Sequence, residues 1–576
     1  MDGFPGTAVE FCASALPSPY ADSGDDCDDN DPLTYPGAVE LPDDGVDQDC
    51  VGGDANAAND DGIFVDGVSG SDSNSGTKEE PVKTVQEGVD LIKGSKHQVY
   101  IAAGTYTESV SIAKKYIELF GGYDASDWSR DIDAHETTIE GAGNPAVTIQ
   151  KDAEETRLDG LTLDGPEASV STAVSVATNE VVDVLRCRIR TFATKNTATG
   201  IMSDFAPTLR VLESQIVADE NGGDIYGIDL TDEAEGGSLV VNGLEVTATL
   251  KGDGTFHGIR IEGMDSASIA RTSVTVSDTT TGFLTGILGI STPMEVRAST
   301  IDLAGSGSVR GIFSQSAKLE SIDNVIRVTG YIFGLGIAVN SADGVVSGNG
   351  IEATGEALST GIVLDGTTED QFVLLNNIVH AAPSGSSGNN FTLRVSDMKG
   401  IASNNVFVAG EGINVFAARL EPSHDPSNKP GDVTLFNNIF ISEQASSEGA
   451  PLQVYANPGG ATPVIVLRNN DLIGDQPDCF MDTQVGSGCV ETLADLNECN
   501  WPYCDDASDN IDDGPMFVDS DNGDYHLSSD SPLIDAGLDV TATLPSDLLD
   551  FALYDFENDP RPMGDGWDIG ADEYHP

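Results

Sequence analysis

Apolar and polar positions alternate in short runs that recur along the middle of the chain at a nearly constant interval. In each interval a small residue, usually Gly, precedes Ile or Val, and successive steps from Ala146 to Gly361 are 25 to 31 residues long. A last step of 51 residues, interpreted as two periods, leads to Gly412. The pairs are Ala146-Val147, Ala173-Val174, Gly200-Ile201, Gly227-Ile228, Gly258-Ile259, Gly286-Ile287, Gly311-Ile312, Gly336-Ile337, Gly361-Ile362 and Gly412-Ile413. A period of this length predicts stacked supersecondary units.

A second apolar series runs in phase with the first and ends the alternating runs. Its members are Ile189, Ile216, Val246, Val274, Ile301, Ile326, Ile351, Ile378, Val406 and Ile439. Alternation with β-branched residues predicts strands, and the intervening segments, rich in Gly, Ser, Asp and Thr, predict turns. No helical period separates these strands. The pattern therefore predicts an all-β parallel β-helix, a solenoid of about 12 coils stacked at about 4.8 Å per coil.

Paired asparagines recur at one phase of the last coils. They are Asn376-Asn377, Asn404-Asn405, Asn437-Asn438 and Asn469-Asn470. Asn at a recurring turn tolerates left-handed backbone and can stack into a ladder of side-chain amides, so we predict a structural role. Function is expected where the rhythm is interrupted, at 381–390, 417–432, 443–460 and 476–510, and in the acidic N-terminal segment.

The chain divides by pattern into four segments. We predict an acidic cation-binding module at 1–55, an N-terminal cap at 56–106, the β-helix at 107–475, and a disulfide-bearing excursion and cap at 476–576. The N-terminal cap contains one predicted helix, which starts near Pro81, turns one apolar face inward and ends at Gly94. A strand is predicted at 98–102. A solenoid needs such a plug because its end exposes apolar side chains and a sheet edge.

Two stretches resemble known β-helix proteins. Gly70-Ser71-Asp72, Gly76-Thr77 and Gly104-Thr105-Tyr106-Thr107-Glu108 resemble the N-terminal entry of pectin-lyase-like proteins, a resemblance that implies a right-handed parallel β-helix. Tyr525-His526-Leu527, Arg561-Pro562 and Asp568-Ile569-Gly570-Ala571 resemble the C-terminal segment of secreted bacterial β-helix proteins, which implies a terminal cap. The pattern is shared by lyases, hydrolases and proteins without known catalysis, so it predicts fold and not activity.

Net charge argues against one class of partner, and its distribution makes the two ends of the chain candidates for cation binding. The balance is 27 − 96 = −69, which argues against nucleic acid as a partner and disfavours anionic membrane surfaces. No Lys or Arg precedes Lys78, and none lies between Arg468 and Arg561. Acidic ends without counter-charge repel themselves unless cations bind among them. A solvated acidic surface adapted to salt is the alternative.

Carboxylates are densest in the first 50 residues. Oxygen atoms at short spacing are what a hard cation needs, since Ca²⁺ takes 6–8 oxygens at about 2.3–2.6 Å. The candidate metal ligands are Asp2, Asp22, Asp25, Asp26, Asp28, Asp29, Asn30, Asp31, Asp43, Asp44, Asp47 and Asp49. A disordered acidic linker is the alternative. The interleaved cysteines and the turn at Tyr35-Pro36-Gly37-Ala38 argue against that alternative.

The same stretch resembles a MopE-like metal-binding motif found in secreted and surface bacterial proteins. The resemblance rests on Asp26-Cys27-Asp28-Asp29-Asn30-Asp31, Tyr35-Pro36-Gly37-Ala38 and Asp47-Gln48-Asp49-Cys50. One relative of that motif is associated with copper. Because this chain offers no Met, His or Trp ligand set in the motif, we expect Ca²⁺.

The eight cysteines favour an oxidising, extracellular setting. We predict the pairs Cys27–Cys50, Cys479–Cys489 and Cys499–Cys504, a buried free thiol at Cys187 in a strand, and leave Cys12 open. The sequence contains no signal peptide and no apolar run that could span a bilayer. For a secreted or cell-surface protein, we therefore expect a secretion signal, and any anchor, to lie outside this sequence.

Catalytic patterns of the fold are weak in this chain. Lyases of this fold pair a Lys or Arg base with a charge-neutralising cation, and hydrolases pair carboxylates. His257 next to Gly258 is interpreted as a turn residue, and Ser423-His424-Asp425-Pro426 as a polar loop. The sequence favours a non-catalytic, calcium-stabilised rod that acts in adhesion, carbohydrate or surface binding, or envelope structure. A polysaccharide lyase or hydrolase, and a filament subunit that associates end to end, are the alternatives.

Overall fold

The computed structural model describes a parallel β-solenoid. It describes residues 27–28, 34–36, 38, 40–220, 222–251, 253–278, 282–367, 369–384, 388–421, 432–454, 464–474, 479–483, 488–546 and 548–575. The chain is all-β with about 11 turns, which confirms the predicted fold class. It divides into two compact units, unit 1 (1–191 and 207–216) and unit 2 (192–206 and 217–576).

The described residues form 44 strands, three α-helices and one 3-10 helix. The first strands are β1 Gly62–Val65, β2 Gln98–Ala102, β3 Gly104–Thr107, β4 Val110–Ile112, β5 Glu118–Tyr123, β6 Thr137–Glu140, β7 Val147–Ile149, β8 Thr156–Asp159, β9 Thr162–Asp164, β10 Ala168–Val176, β11 Val181–Leu185, β12 Arg188–Ser203, β13 Thr208–Leu212 and β14 Gln215–Glu220. The next are β15 Asp224–Asn242, β16 Glu245–Leu250, β17 Phe256–Ala270, β18 Ser273–Asp278, β19 Phe283–Ile290, β20 Met294–Arg297, β21 Thr300–Gly305, β22 Ser308–Gln315, β23 Leu319–Ile322, β24 Val325–Gly330, β25 Phe333–Asn340, β26 Gly344–Ser347, β27 Gly350–Gly355 and β28 Leu358–Asp365.

The remaining elements follow the same order. They are β29 Gln371–Leu375, β30 Ile378–Pro383, β31 Asn389–Ser396, β32 Lys399–Ser403, β33 Val406–Ala409, β34 Gly412–Glu421, β35 Val433–Phe436, β36 Ile439–Ser442, β37 Ala445–Val454, β38 Ile465–Arg468, β39 Asp471–Gly474, β40 Met481–Asp482, β41 Cys489–Val490, β42 Cys504–Ser508, β43 Phe517–Asp519 and β44 Asp524–Leu527. The helices are α1 Val85–Leu91, α2 Leu493–Asn497 and α3 Leu549–Ala552, with a 3-10 turn at Ser520–Asn522.

Helix α1 begins later than the sequence predicted. The side chain of Thr84 accepts a hydrogen bond from the backbone N–H of Glu87 and so caps the first turn. Pro81 therefore precedes the helix. Val85 and Val89 are buried, which confirms the predicted apolar face.

The Gly-Ile repeat lies within strands, not at corners. In unit 2, Ile259, Ile287, Ile312, Ile337 and Ile362 stand opposite one another on successive coils. The preceding glycines leave room for the neighbouring coil. A Cβ on Gly286 would lie 2.7 Å from the carbonyl oxygen of the next glycine, closer than real Cβ atoms approach. The small residue is thus required by close stacking of the coils.

Two phase assignments made from the sequence are also wrong. The core stack after Ile362 continues through Leu393 and Ala418, so Gly412-Ile413 does not belong to it. The second stack runs from Ile351 to Val379, Phe407 and Phe440, one residue after the predicted Ile378, Val406 and Ile439. Since strand side chains alternate, those three point to the outer face. Tyr525, Leu527, Leu533, Ile569 and Ala571 of the C-terminal segment cover them.

The asparagine ladder forms, and it is longer than the sequence indicated. The second Asn of each pair is buried and donates from Nδ2 to Oδ1 of the Asn on the next coil. The ladder comprises Asn324, Asn349, Asn377, Asn405, Asn438, Asn470 and Asn510 and ends on Asn497, with bonds of 2.8–3.0 Å. Cys187 occupies a corner and not a strand, where its buried thiol is free and burial raises its pKa to about 12.

The first Asn of each pair has a different structural role. Asn376, Asn404, Asn437 and Asn469 adopt left-handed backbone with φ of 51° to 57°, as Asn readily does. Their amides donate to backbone oxygens of the C-terminal segment, including Phe551, Leu538 and Ala536 at 2.6 to 3.0 Å. That segment, predicted as a cap, therefore lies along the outer side of several coils in unit 2.

Candidate metal centre and binding cleft

Three carboxylates of the N-terminal module converge. Glu40, Asp47 and Asp49 each place one oxygen within 4.8 Å of the others, and all three are half-buried. The disulfide between Cys27 and Cys50 closes the loop that carries all three. Such an all-oxygen set suits a hard cation. Asp47 and Asp49 were among the predicted ligands, whereas Glu40 was not.

Backbone N–H groups orient these carboxylates. Both oxygens of Glu40 accept hydrogen bonds, from Asp49 N at 2.8 Å and from Ala55 N at 3.2 Å. Asp47 accepts from Val51 N at 2.9 Å and Gly53 N at 3.0 Å. Each oxygen keeps a second lone pair, so a cation can be held without breaking these bonds. The residues present therefore fit a divalent cation.

The other described candidates have different partners. Asp43 accepts a hydrogen bond from the backbone N–H of Ala57 at 2.8 Å, and Asp44 forms an ion pair with Arg186 at 2.7 Å. Asp28 is exposed beside Cys27. Asp2, Asp22, Asp25, Asp26, Asp29, Asn30 and Asp31 lie outside the described residues, as does Cys12.

A buried charge cluster fastens the module to the coils of unit 1. Asp159 is fully buried and contacts Arg130 at 3.0 Å and Arg186 at 2.6 Å. Arg186 also contacts Asp44, and Arg130 donates to the carbonyl oxygen of Pro42 at 3.1 Å. Two arginines thus join one buried aspartate to two residues of the module.

A ladder of alternating charges runs across neighbouring coils of unit 1. Glu118, Arg157, Asp183 and Arg210 occupy opposing positions on β5, β8, β11 and β13. Arg157 contacts Glu118 at 2.5 Å and Asp183 at 3.1 Å, and Arg210 binds Asp183 with two bonds of 2.6 and 2.7 Å. The sequence analysis missed this row. Opposite charges recurring at spacings of 39, 26 and 27 residues were the available signal.

This ladder forms the floor of a cleft of about 640 Å³. The cleft is also lined by His97, Tyr116 and Thr156. Tyr116 is 43% exposed and its ring stands edge-on to His97 at 5.9 Å. His97 Nδ1, Thr156 Oγ1 and Arg157 Nε are buried polar atoms without a hydrogen-bond partner among the described residues. Buried polar atoms normally find partners, so each of these three is expected to bind an ordered water.

The module also reaches the cleft. Burial lowers the pKa of Arg210. Hydrogen bonds to Asp183 and to the side chain of Tyr35 outweigh burial and raise that pKa above its usual value. Tyr35 belongs to the turn of the metal-binding motif. The module and the cleft therefore share one hydrogen-bonded network, which runs from Tyr35 through Arg210 to Asp183.

His257 lies on β17, in contrast to the predicted turn. Its ring stacks on Tyr226 at 5.4 Å, and burial lowers its pKa to about 4. Nearby, burial raises the pKa of Asp229 to about 6, and Arg260 lies 3.6 Å from that carboxylate. These groups converge in unit 2 on an outer face. Ser423-His424-Asp425-Pro426 lies outside the described residues.

The C-terminal cysteines are paired in the structure. Disulfides join Cys479 to Cys489 and Cys499 to Cys504. Trp501 is buried beside them and donates from its indole N–H to the Leu496 carbonyl oxygen at 3.1 Å. None of the described helices has the length and apolar character needed to cross a bilayer.

Comparison with known proteins supports the metal-binding motif. Residues 26–56 match the family Cu-binding_MopE, described as "Putative metal-binding motif". No curated protein sequence shows significant similarity to this chain.

One solved structure with detectable likeness is the native crystal structure of a GH136 lacto-N-biosidase from Eubacterium ramulus, at 12% identity and a TM-score of 0.31. The likeness covers 70% of this chain and 66% of that one, so the chain spans slightly less than two thirds of the enzyme's length. A likeness this distant carries no inference about activity.

Proposed function

We propose that this chain is a secreted or cell-surface β-solenoid that binds a neutral carbohydrate in the cleft of unit 1. The observation that carries the proposal is the cleft of about 640 Å³ lined by His97, Tyr116 and the ladder of alternating charges. Sugar hydroxyls both donate and accept hydrogen bonds, so they can pair with the carboxylates and the guanidinium groups of the ladder together.

The dimensions and charges of the cleft favour a neutral glycan. Rungs repeat at about 4.8 Å, a spacing comparable to the length of one sugar ring. Two arginines face Glu118, Glu155 and Asp183, so the lining is nearly balanced in charge. The exposed ring of Tyr116 offers an apolar face to a pyranose. Polyanionic glycans are disfavoured because the whole chain carries −69 charges.

The arrangement favours binding over catalysis. A glycosidase needs two carboxyl groups that flank the bond to be broken. Here Arg157 lies between Glu118 and Asp183 and contacts both. A lyase needs a base, but both guanidiniums of the ladder are bound to carboxylates and stay protonated.

Replacement of Tyr116 by Ala is expected to weaken glycan binding about tenfold, or about 1.4 kcal/mol, because a contact of an exposed aromatic ring is lost. Isothermal titration calorimetry with a panel of neutral oligosaccharides measures this change in affinity. Tyr331→Ala is the matched control, because Tyr331 is also exposed and lies in unit 2. Equal affinity of the two variants would place the ligand elsewhere. Release of reducing ends or of unsaturated uronate would identify an enzyme instead.

We further propose that the module binds Ca²⁺ through Glu40, Asp47 and Asp49. An ion that binds only the folded state adds about 2.7 kcal/mol of stability at a concentration of 100 times its Kd. Asp47→Asn is therefore expected to abolish most of the rise in melting temperature that Ca²⁺ produces. Asp133→Asn, an exposed carboxylate outside the cluster, should leave that rise unchanged.

Titration with Ca²⁺ and with Cu²⁺ after chelation distinguishes the two ions. Because the ligand atoms are all oxygens, we expect Ca²⁺ to raise the melting temperature at a lower concentration than Cu²⁺ does. A melting temperature that does not change when chelator is added would show that protein contacts alone keep the module folded. An extracellular location is consistent with the three disulfides and with the high free Ca²⁺ outside cells.

A further inference from the structure

A second cluster of metal-ligating side chains lies in unit 2, far along the chain from the N-terminal motif. It forms where β44 meets the turn after α3 and the last turn of the described chain. Leu527 N donates to Asp572 at 2.8 Å, which joins β44 to the last turn. A short antiparallel bridge between Tyr554 and Pro560 shapes the intervening turn, which carries Glu557.

Three ligand atoms converge there. One atom each from His526, Glu557 and Asp572 lies within 4.8 Å of the other two. His526 Nε2 is 2.7 Å from Glu557 Oε1. His526 and Glu557 are exposed at the rim while Asp572 is buried at the base. The cluster therefore has one imidazole nitrogen, two carboxylates and an open side toward solvent.

The imidazole is oriented as in metal sites. Its Nδ1 lies 2.5 Å from Asp524 Oδ1, so the ring directs Nε2 toward the two carboxylates. Histidine ligands of metal ions commonly donate their other ring N–H to a carboxylate, which fixes the tautomer and makes the ligating nitrogen more basic. Asp524 would take this role outside the ligand shell.

Negative charge exceeds positive charge around the imidazole. Its two ring nitrogens lie 2.5 Å from Asp524 Oδ1 and 2.7 Å from Glu557 Oε1. No Lys or Arg occurs between Arg468 and Arg561, and Arg561 is bound to Glu573 at 2.8 Å. A protonated His526 neutralises only one of the surrounding carboxylates, whereas a divalent ion would neutralise two.

We propose that His526, Glu557 and Asp572 form a site for a divalent transition-metal ion of the Zn²⁺ type. One nitrogen and two oxygens suit Zn²⁺ or Co²⁺ with water in the fourth position, and Ca²⁺ prefers oxygens alone. The ion ties β44 to the two turns that follow it. This site is independent of the proposed calcium and carbohydrate sites.

Titration with Co²⁺ in the Asp47→Asn background tests the proposal, because four-coordinate Co²⁺ gives intense visible absorption bands and oxygen-only sites give weak ones. We expect one equivalent to bind, displacement by Zn²⁺, and loss of binding as His526 protonates at low pH. His526→Gln should weaken binding at least 100-fold, and Asp524→Asn about 10- to 100-fold with the fold retained.

His135→Gln is the matched control, since His135 lies 3.6 Å from a single carboxylate, Asp124. It should leave the bands unchanged. Absence of intense bands with excess Co²⁺ would overturn the proposal, as would equal bands in His526→Gln and in the parent protein. Circular dichroism of each variant verifies that the fold is intact.

Discussion

Asn438→Ala is expected to lower the stability of unit 2 by about 3–5 kcal/mol. The Asn438 side chain is fully buried and makes four hydrogen bonds. It donates to Ala402 O at 2.8 Å and to Asn470 Oδ1 at 3.0 Å, and it accepts from Asn405 N at 3.1 Å and Asn405 Nδ2 at 2.9 Å. Alanine leaves these partners buried and unsatisfied, and each such group costs about 1–3 kcal/mol.

The denaturant midpoint of unit 2 measures this loss. Asn522→Ala is the control, because Asn522 is exposed and its side-chain amide donates to Asp519 at 2.8 Å. It should shift stability by less than about 0.5 kcal/mol. Equal midpoints for the two variants would show that the ladder contributes no more than a surface contact.

Asp159→Asn is expected to destabilise unit 1 by about 3–5 kcal/mol, because it leaves two arginines without a counter-charge. Asparagine keeps the shape and loses the charge that holds Arg130 and Arg186. The module should loosen as well, since Arg186 carries the contact to Asp44. An endoprotease that cuts at aspartate should then cleave residues 40–58 faster. Trypsin is unsuitable because the first Lys is Lys78.

The same ion pairs should make the stability of unit 1 depend on pH in the acid range. Although burial opposes ionisation, Arg130 and Arg186 lower the pKa of Asp159 below its ordinary 3.8. The resulting stability is present above pH 3.8 and is lost as pH falls through the lower native pKa. Asp159→Asn removes this component of the acid transition. Asp164→Asn is the control, since Asp164 binds Arg190 at 2.6 Å near the surface and should cost at most about 1 kcal/mol. Identical behaviour of the two variants would contradict a special role for Asp159.

The fold could be predicted from sequence because its period is local and repeated. Nine coils supply a small residue followed by Ile or Val, so nine copies reinforce one interpretation. The Asn pairs added a second periodic signal. The different roles of the two residues in each pair could not be predicted, because the first Asn bonds to a segment up to 185 residues away.

The errors have the same physical origin. Ile378, Val406 and Ile439 were placed in the same series as Ile351 because a strand buried on both faces has no alternation to reveal its phase. Only the C-terminal segment, folded onto their outer side, explains their apolar character. The cleft depends on stacking between coils, so its lining residues are scattered from His97 to Arg210. Glu40 was missed for a similar reason, since the loop closure that brings it to Asp47 involves backbone hydrogen bonds with no sequence pattern.

Hydrogen–deuterium exchange of the calcium-loaded protein, with and without a neutral oligosaccharide from the binding panel, tests the central claim most directly. Binding in the cleft predicts slower exchange in the segments around Tyr116–Glu118, Thr156–Arg157 and Thr208–Arg210, and no change around Tyr226 and His257. Protection confined to the Tyr226–Glu262 face, or cleavage of the oligosaccharide during the measurement, would contradict it.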